Sequence, residues 1–254
     1  MIVFLTSSPT GPLDNSRMVN GLDYKNQLIE NLHKYWKPAA KCLMITAAPA
    51  DPDFNNRIQD DMIGILFRCG FPFKTVDMWD DRTKDFSEET LCSYDVIFLC
   101  GGHVPTQNAF FKRIGLREKM KHFDGLVIGI SAGTMNSADV VYAQPEHEGE
   151  SVDPAYNRYP TGLGLTKVNI LPHYQMTKNF ELDGRRLFED ITYEDSYGKW
   201  FLVLPDGSYL LSVHGQETVW GEAYVIADGR LEKICEDDQI LEVNHGEMCL
   251  GKGQ

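Results

Sequence analysis

The chain has 254 residues, 43% hydrophobic and 24% charged, which is enough apolar material for one large α/β core. Its net charge of −13 argues against a nucleic-acid partner or an anionic membrane surface. No apolar run reaches the ~18–20 residues of a membrane-spanning helix. The six cysteines form no C-x-x-C pair, so the composition points to a reduced, cytoplasmic protein.

Residues 2–5, Ile-Val-Phe-Leu, lack the basic flank and cleavage site of a signal peptide and read as a first strand. Residues 20–35 are amphipathic, with Leu22, Leu28, Ile29 and Leu32 on one side. A strand is expected at 42–47. Residues 55–69 then carry Ile58, Met62, Ile65 and Leu66 at helical spacing. Strands at 74–78 and 96–100 follow, then a helix over 107–122 and a strand over Leu126–Ile130. This alternation predicts a mostly parallel central sheet flanked by helices on both faces, a flavodoxin-like three-layer α/β sandwich.

After Ala143 the pattern changes. Residues 144–161 are polar, carry Pro145, Pro154 and Pro160, and are expected to form an active-site loop or lid. A strand at 168–171, a helix at 183–191 and a strand at 202–204 come next. β-rich runs such as Tyr209–Val213 and 224–226 close the chain, with turn signals at Asp206-Gly207 and Asp228-Gly229. No repeat or linker interrupts the sequence, so 1–254 is expected to be one domain.

One pentapeptide carries the chemistry. Gly129-Ile130-Ser131-Ala132-Gly133 follows an apolar strand and precedes a helix start. A serine on such a sharp turn is held above the sheet, and the next backbone N–H points into the same space. A tight turn of no chemical consequence is the competing account. A serine needs a base, and the base needs an orienting group. Of the seven histidines, His173 fits best, because Pro172 ends a strand immediately before it. A carboxylate at another strand end should be third. Asp206 fits in Leu204-Pro205-Asp206-Gly207, and Glu217 is the runner-up. Oxyanion donors would be the N–H groups of Ala132 and of the Gly101-Gly102 pair. His103 follows that pair and is expected near the site.

Other signals are weaker. His147, between Glu146 and Glu148, has no second cluster to complete a metal site. His33, His122, His214 and His245 have no suggestive context. The run Asp51-Pro52-Asp53-Phe54-Asn55 begins like a calcium loop but has Asn56 for the glycine and Met62 for the glutamate. Gly162-Leu163-Gly164 lacks the later glycine of a dinucleotide fingerprint.

The order serine, histidine, acid differs from that of α/β-hydrolases. It resembles the peptidase E (aspartyl dipeptidase) family, with its class I glutamine-amidotransferase-like fold. Several blocks carry the likeness, in order along most of the chain: Leu5-Thr6-Ser7-Ser8-Pro9-Thr10-Gly11, Phe98-Leu99-Cys100-Gly101-Gly102-His103, Ile128-Gly129-Ile130-Ser131-Ala132-Gly133, Asn169-Ile170-Leu171-Pro172-His173-Tyr174 and Leu204-Pro205-Asp206-Gly207. The resemblance implies Ser131 as nucleophile, His173 as general base and acid, and Asp206 as orienting carboxylate. It implies Gly102 and Ala132 as oxyanion donors and a small peptide as substrate, hydrolysed through an acyl-enzyme without metal or cofactor. The best-known members have glutamate where this chain has Asp206. Recognition of an N-terminal aspartate would call on a basic group, with Arg158, Lys178, Arg185 and Arg186 as candidates. A homodimer is compatible with the reading. A cyanophycinase-like peptidase, another acyl hydrolase or amidase on the same scaffold, and a non-catalytic binding module stay open.

Overall fold

The computed structural model describes residues 1–10, 21–84 and 86–243; Gly11, Asn20 and His245 lie outside them. The first half runs β1 (Ile2–Thr6), α1 (Leu28–Tyr35), β2 (Ala40–Ile45), α2 (Pro52–Arg68), β3 (Phe73–Trp79), α3 (Glu88–Cys92), β4 (Val96–Leu99), α4 (Val104–Arg113), α5 (Leu116–Lys119) and β5 (Leu126–Ile130). The second half runs α6 (Ala132–Met135), β6 (Ile170–Leu171), α7 (Tyr174–Thr177), β7 (Glu181–Leu182), β8 (Arg185–Arg186), α8 (Tyr193–Asp195) and β9 (Trp200–Val203). Five strands follow: β10 (Tyr209–Val213), β11 (Gln216–Trp220), β12 (Ala223–Ala227), β13 (Arg230–Cys235) and β14 (Ile240–Glu242).

An eight-stranded sheet in the order β14-β11-β10-β1-β5-β4-β2-β3 forms the middle layer. β1 to β5 pair in parallel, and β10, β11 and β14 extend the sheet antiparallel beside β1. The β1–β5 register sets Thr6 against Ile130, so the chain leaves both strands at the same edge. One face packs Phe4, Met44, Phe98 and Ile128 against Leu28 and Leu32 of α1 and Met62 and Leu66 of α2. The other packs Leu5, Ile97, Leu99 and Val127 against Phe110 and Phe111 of α4. Ile170 and Leu202, from a second sheet of order β13-β12-β9-β6, belong to the same apolar cluster. The third layer is thus part helix and part sheet, where the strand–helix alternation predicted helices alone.

Several boundaries differ from the sequence expectation for physical reasons. The helix expected over 20–35 begins at Leu28, because Asn26 and Gln27 hold φ of 52° and 55°. The helix expected from 107 starts at Val104, with Pro105 in its first turn, and stops before Gly115, at φ 63°. No helix spans 183–191. Asp183 and Gly184, at φ 55° and 74°, make the tight turn of the β7–β8 hairpin, and only Leu187–Thr192 coils, as a π-helical turn. The strand expected at 168–171 is two residues long. Asp51, first residue of the calcium-like run, caps α2 by accepting from Phe54 N–H at 2.9 Å.

Candidate active site

The turn between β5 and α6 is a single residue, Ser131. It holds φ 50° and ψ −110°, a conformation serine adopts only under constraint. The constraint comes from packing. A Cβ on Gly133 would stand 2.1 Å from the Leu99 carbonyl oxygen, so α6 lies against β4 at a distance only glycine allows. Ser131 N–H donates to Thr6 O at 3.3 Å, and Thr134 Oγ1 donates to the same oxygen at 2.8 Å. Serine and turn are thereby fixed to the end of β1.

His173 arrives from the second sheet. Pro172 follows β6, and His173 itself holds φ 59° before α7. Its Nε2 lies 2.8 Å from Ser131 Oγ, and its Nδ1 lies 2.7 Å from Asp206 Oδ1. A carboxylate only accepts, so the proton sits on Nδ1 and Nε2 is left to accept from the serine hydroxyl. The Asp206 side chain is fully shielded from solvent.

Two residues without prior claim complete the arrangement. Ser7, buried just beyond β1, donates to Asp206 Oδ1 at 2.6 Å and accepts from His173 N–H at 2.7 Å. Gln175 donates to Asp206 Oδ2 at 2.5 Å and accepts from Asp206 N–H at 3.0 Å. The buried carboxylate thus faces three donors, which offset the cost of taking its charge out of water. Ser7 sits in a block that the family likeness singles out, yet nothing in its type marks it. Gln175 lies two residues after His173, a spacing that one helical turn makes useful.

The runner-up acid is not at this edge. Glu217 pairs opposite Ser212, which pairs opposite Val3, near the far end of β1. Gly102 is at the edge, with φ 146°, and a Cβ there would stand 2.7 Å from that of Ala47. Ala132 opens α6, and first-turn N–H groups have no acceptor within their own helix.

His103 has both ring nitrogens engaged, Nδ1 with Thr106 Oγ1 and Nε2 with Glu150 Oε1, each at 2.8 Å. Its ring meets that of His147 edge-on, with 4.3 Å between centroids. Burial lowers its pKa, against the opposing pull of Glu150. Burial pushes Glu150 the other way, upward. The N–H groups of Glu146 and His147, together with His103, overcome that push and hold it below its ordinary range.

None of the candidate cations bonds to Ser131, His173 or Asp206. Arg158 pairs with Asp195 at 3.0 Å and donates to Ser151 O at 3.1 Å. Arg185 pairs with Glu194 at 2.9 Å and Arg186 with Asp190 at 2.6 Å. Lys178 is exposed at the end of α7. The stretch 144–161 is pinned rather than free. Asp183 accepts from Gly149 N–H, Ser151 N–H and Ser151 Oγ–H at 2.7, 3.1 and 2.6 Å, and Tyr159 Oη–H donates to Asp195 O at 3.1 Å. A lid motion would break these bonds along with His103–Glu150.

Among the described residues, no group of three His, Cys, Asp or Glu side chains could hold a metal, and no helix is long and apolar enough to cross a membrane. A hydroxyl, an imidazole and a carboxylate in series are the arrangement that activates a serine toward a carbonyl carbon.

Comparison with known proteins bears on the family and the fold. The sequence model of peptidase family S51 matches residues 18–219. The chain is similar in fold to a peptidase from an acI-B1 Actinobacterium. The TM-score is 0.56 at 15% identity, over 95% of this chain and 96% of that one. A provisionally assigned peptidase E protein from Listeria monocytogenes EGD-e aligns at TM-score 0.48 and 17% identity, over 92% and 98% of the two chains. No curated protein matches the chain.

Proposed function

The chain belongs to peptidase family S51, the peptidase E family, and is a serine peptidase; from that premise we propose that it hydrolyses small peptides with Ser131 as nucleophile, His173 as general base and acid, and Asp206 as orienting carboxylate. The observation that carries the reading is the unbroken pair of contacts, 2.8 Å from Ser131 Oγ to His173 Nε2 and 2.7 Å from His173 Nδ1 to Asp206.

In this mechanism His173 Nε2 takes the hydroxyl proton as Ser131 Oγ attacks the peptide carbonyl. Negative charge grows on the carbonyl oxygen, where the N–H groups of Gly102 and Ala132 stabilise it. The imidazolium, steadied by Asp206, then gives its proton to the departing amine. Water attacks the acyl-serine with His173 again as base. The strained backbone of Ser131 keeps the hydroxyl in place throughout, so little reorganisation is needed at the moment of reaction.

An esterase or amidase would use the same three residues, and family membership favours the peptidase. The aspartyl preference that the family likeness implies needs a cation within reach of the acyl residue. Arg158, Arg185 and Arg186 are each committed to a carboxylate, which counts against their receiving an aspartyl side chain. The test is hydrolysis of a dipeptide library by the wild type and by Ser131→Ala. Cleavage lost in the mutant supports the assignment, and cleavage retained at the wild-type rate sinks it.

A further inference from the structure

Beside the nucleophile turn, on the sheet face that carries α1 and α2, lies a cavity of about 180 Å³. Ile58, Met62 and Ile65 of α2 line it together with Met44 of β2, and Gly101 and Ile130 line it next to Ser131. A Cβ on Gly101 would stand 3.3 Å from Ser131 Cβ, so the cavity's Gly101 and Ile130 wall lies against the nucleophile residue. Asp61, exposed on α2, is the one charged side chain among its described lining residues, which include no lysine or arginine.

The sheet order tells which part of a peptide this cavity faces. Ser131 stands at the end of β5, between β1 and β4. His173 is tied to the β1 side, where its N–H donates to Ser7. The cavity lies on the other side, under the ends of β4 and β2. The imidazole must hand its proton to the leaving amine, so the leaving group lies on the β1 side. The acyl residue then points toward β4 and the cavity. We infer that this cavity is the subsite for the side chain of the residue whose carbonyl Ser131 attacks, and that it selects an apolar side chain such as leucine, methionine or phenylalanine. The inference rests on the serine-peptidase mechanism proposed above.

Size and chemistry agree. A cavity of about 150 Å³ lined by Leu, Ile and Phe holds a benzene ring, so 180 Å³ accommodates an isobutyl or phenyl group. Met44 and Met62 supply flexible, polarisable walls that adapt to different apolar shapes. An aspartate or glutamate side chain would lose water against this apolar lining, find no cation among the described lining residues, and meet Asp61 at the rim. The subsite therefore opposes the aspartyl preference associated with the family.

The test is steady-state cleavage of Leu-Ala, Phe-Ala and Asp-Ala by the full chain and by Ile58→Lys. The wild type should favour Leu-Ala and Phe-Ala over Asp-Ala by ~10–100-fold in kcat/KM, the scale of one pocket contact. Ile58→Lys, which places a cation in the cavity, should narrow or reverse that ratio. Met62→Ala is read in parallel; by enlarging the cavity it should raise Phe-Ala relative to Leu-Ala, and it serves if lysine at 58 prevents folding. Preference for Asp-Ala in the wild type, or ratios that both folded variants leave unmoved, overturns the subsite while the serine peptidase stands. Failure of all three dipeptides while a fluorophosphonate still labels Ser131 also overturns it. Cleavage that survives Ser131→Ala overturns the mechanism on which it rests.

Discussion

Two imidazoles in this molecule make nearly the same bonds. His173 has a carboxylate at 2.7 Å on one nitrogen and a serine hydroxyl at 2.8 Å on the other. His103 has a carboxylate and a threonine hydroxyl, both at 2.8 Å. The pairs differ in what surrounds the hydroxyl. Ser131 sits at φ 50° on a strand-to-helix turn, immediately before the first residue of α6. Thr106 lies in the first turn of α4 and is exposed. They differ also in the carboxylate. Asp206 is buried and holds two further donors, Ser7 and Gln175, whereas Glu150 folds back onto the N–H groups of its own loop. A hydroxyl–imidazole–carboxylate series is therefore insufficient by itself; its backbone setting makes the difference, and on that ground we propose His173, not His103, as the base.

The strongest way to break this contrast is to remove the hydroxyls. Ser131→Ala should lower kcat on the preferred peptide by on the order of 10⁶-fold, as loss of a nucleophile does in a triad acting as a unit. Thr106→Ala should leave kcat within about tenfold, measured in the same assay. If Thr106→Ala costs as much as Ser131→Ala, the contrast between the two imidazoles fails. Asp206→Asn comes next, with an expected loss on the order of 10⁴-fold in kcat, because the imidazole loses the partner that fixes its tautomer.

A smaller effect sharpens the comparison. Ser7→Ala removes a hydrogen bond to a buried charge, worth about 1.5–3 kcal/mol, and should cost ~10–100-fold in kcat/KM. A purely structural role would lower the amount of active enzyme and leave kcat per titrated active site alone. A positioning role predicts a lower kcat per titrated site. An unchanged kcat per site counts against positioning.

The smallest effect concerns the other imidazole. Burial pushes Glu150 up, yet the Glu146 and His147 N–H groups and His103 hold it below its ordinary value of 4.5. Its contribution to loop stability is thus full above that value and is lost as pH falls through the lower folded-state value. Amide protection at residues 146 and 147, corrected for intrinsic exchange, should fall on acidification in the wild type. The fall should be absent in Glu150→Gln. Equal acid sensitivity in both would place the responsible group elsewhere.

The contrast also explains what the sequence made legible. Ser131, His173 and Asp206 each follow an apolar run that ends in a turn residue, so local pattern alone puts them at strand ends. The parallel half of the sheet is legible on the same ground. Ser7 and Gln175 are not, because their types are ordinary and Ser7 meets Asp206 across 199 positions. The cations Arg158, Arg185 and Arg186 read as substrate ligands only while their carboxylate partners are unknown. At 183–191 the apolar residues Leu187, Phe188 and Ile191 imitate helical spacing. The Asp183-Gly184 turn signal overrides that spacing, just as Asp228-Gly229, with φ of 47° and 75°, turns β12 into β13.

The Ser7–Asp206 bond ties the first strand to a turn four-fifths of the way along the chain. No single segment contains the proposed site: residue 131 brings the hydroxyl, 173 the imidazole and 206 the carboxylate, and the carboxylate is braced by residue 7. A folding chain that has made the β5–α6 turn without the contacts to residues 173 and 206 holds a serine without its proposed partners. In the proposed assignment hydrolytic competence therefore comes only with the long-range contacts that complete the fold.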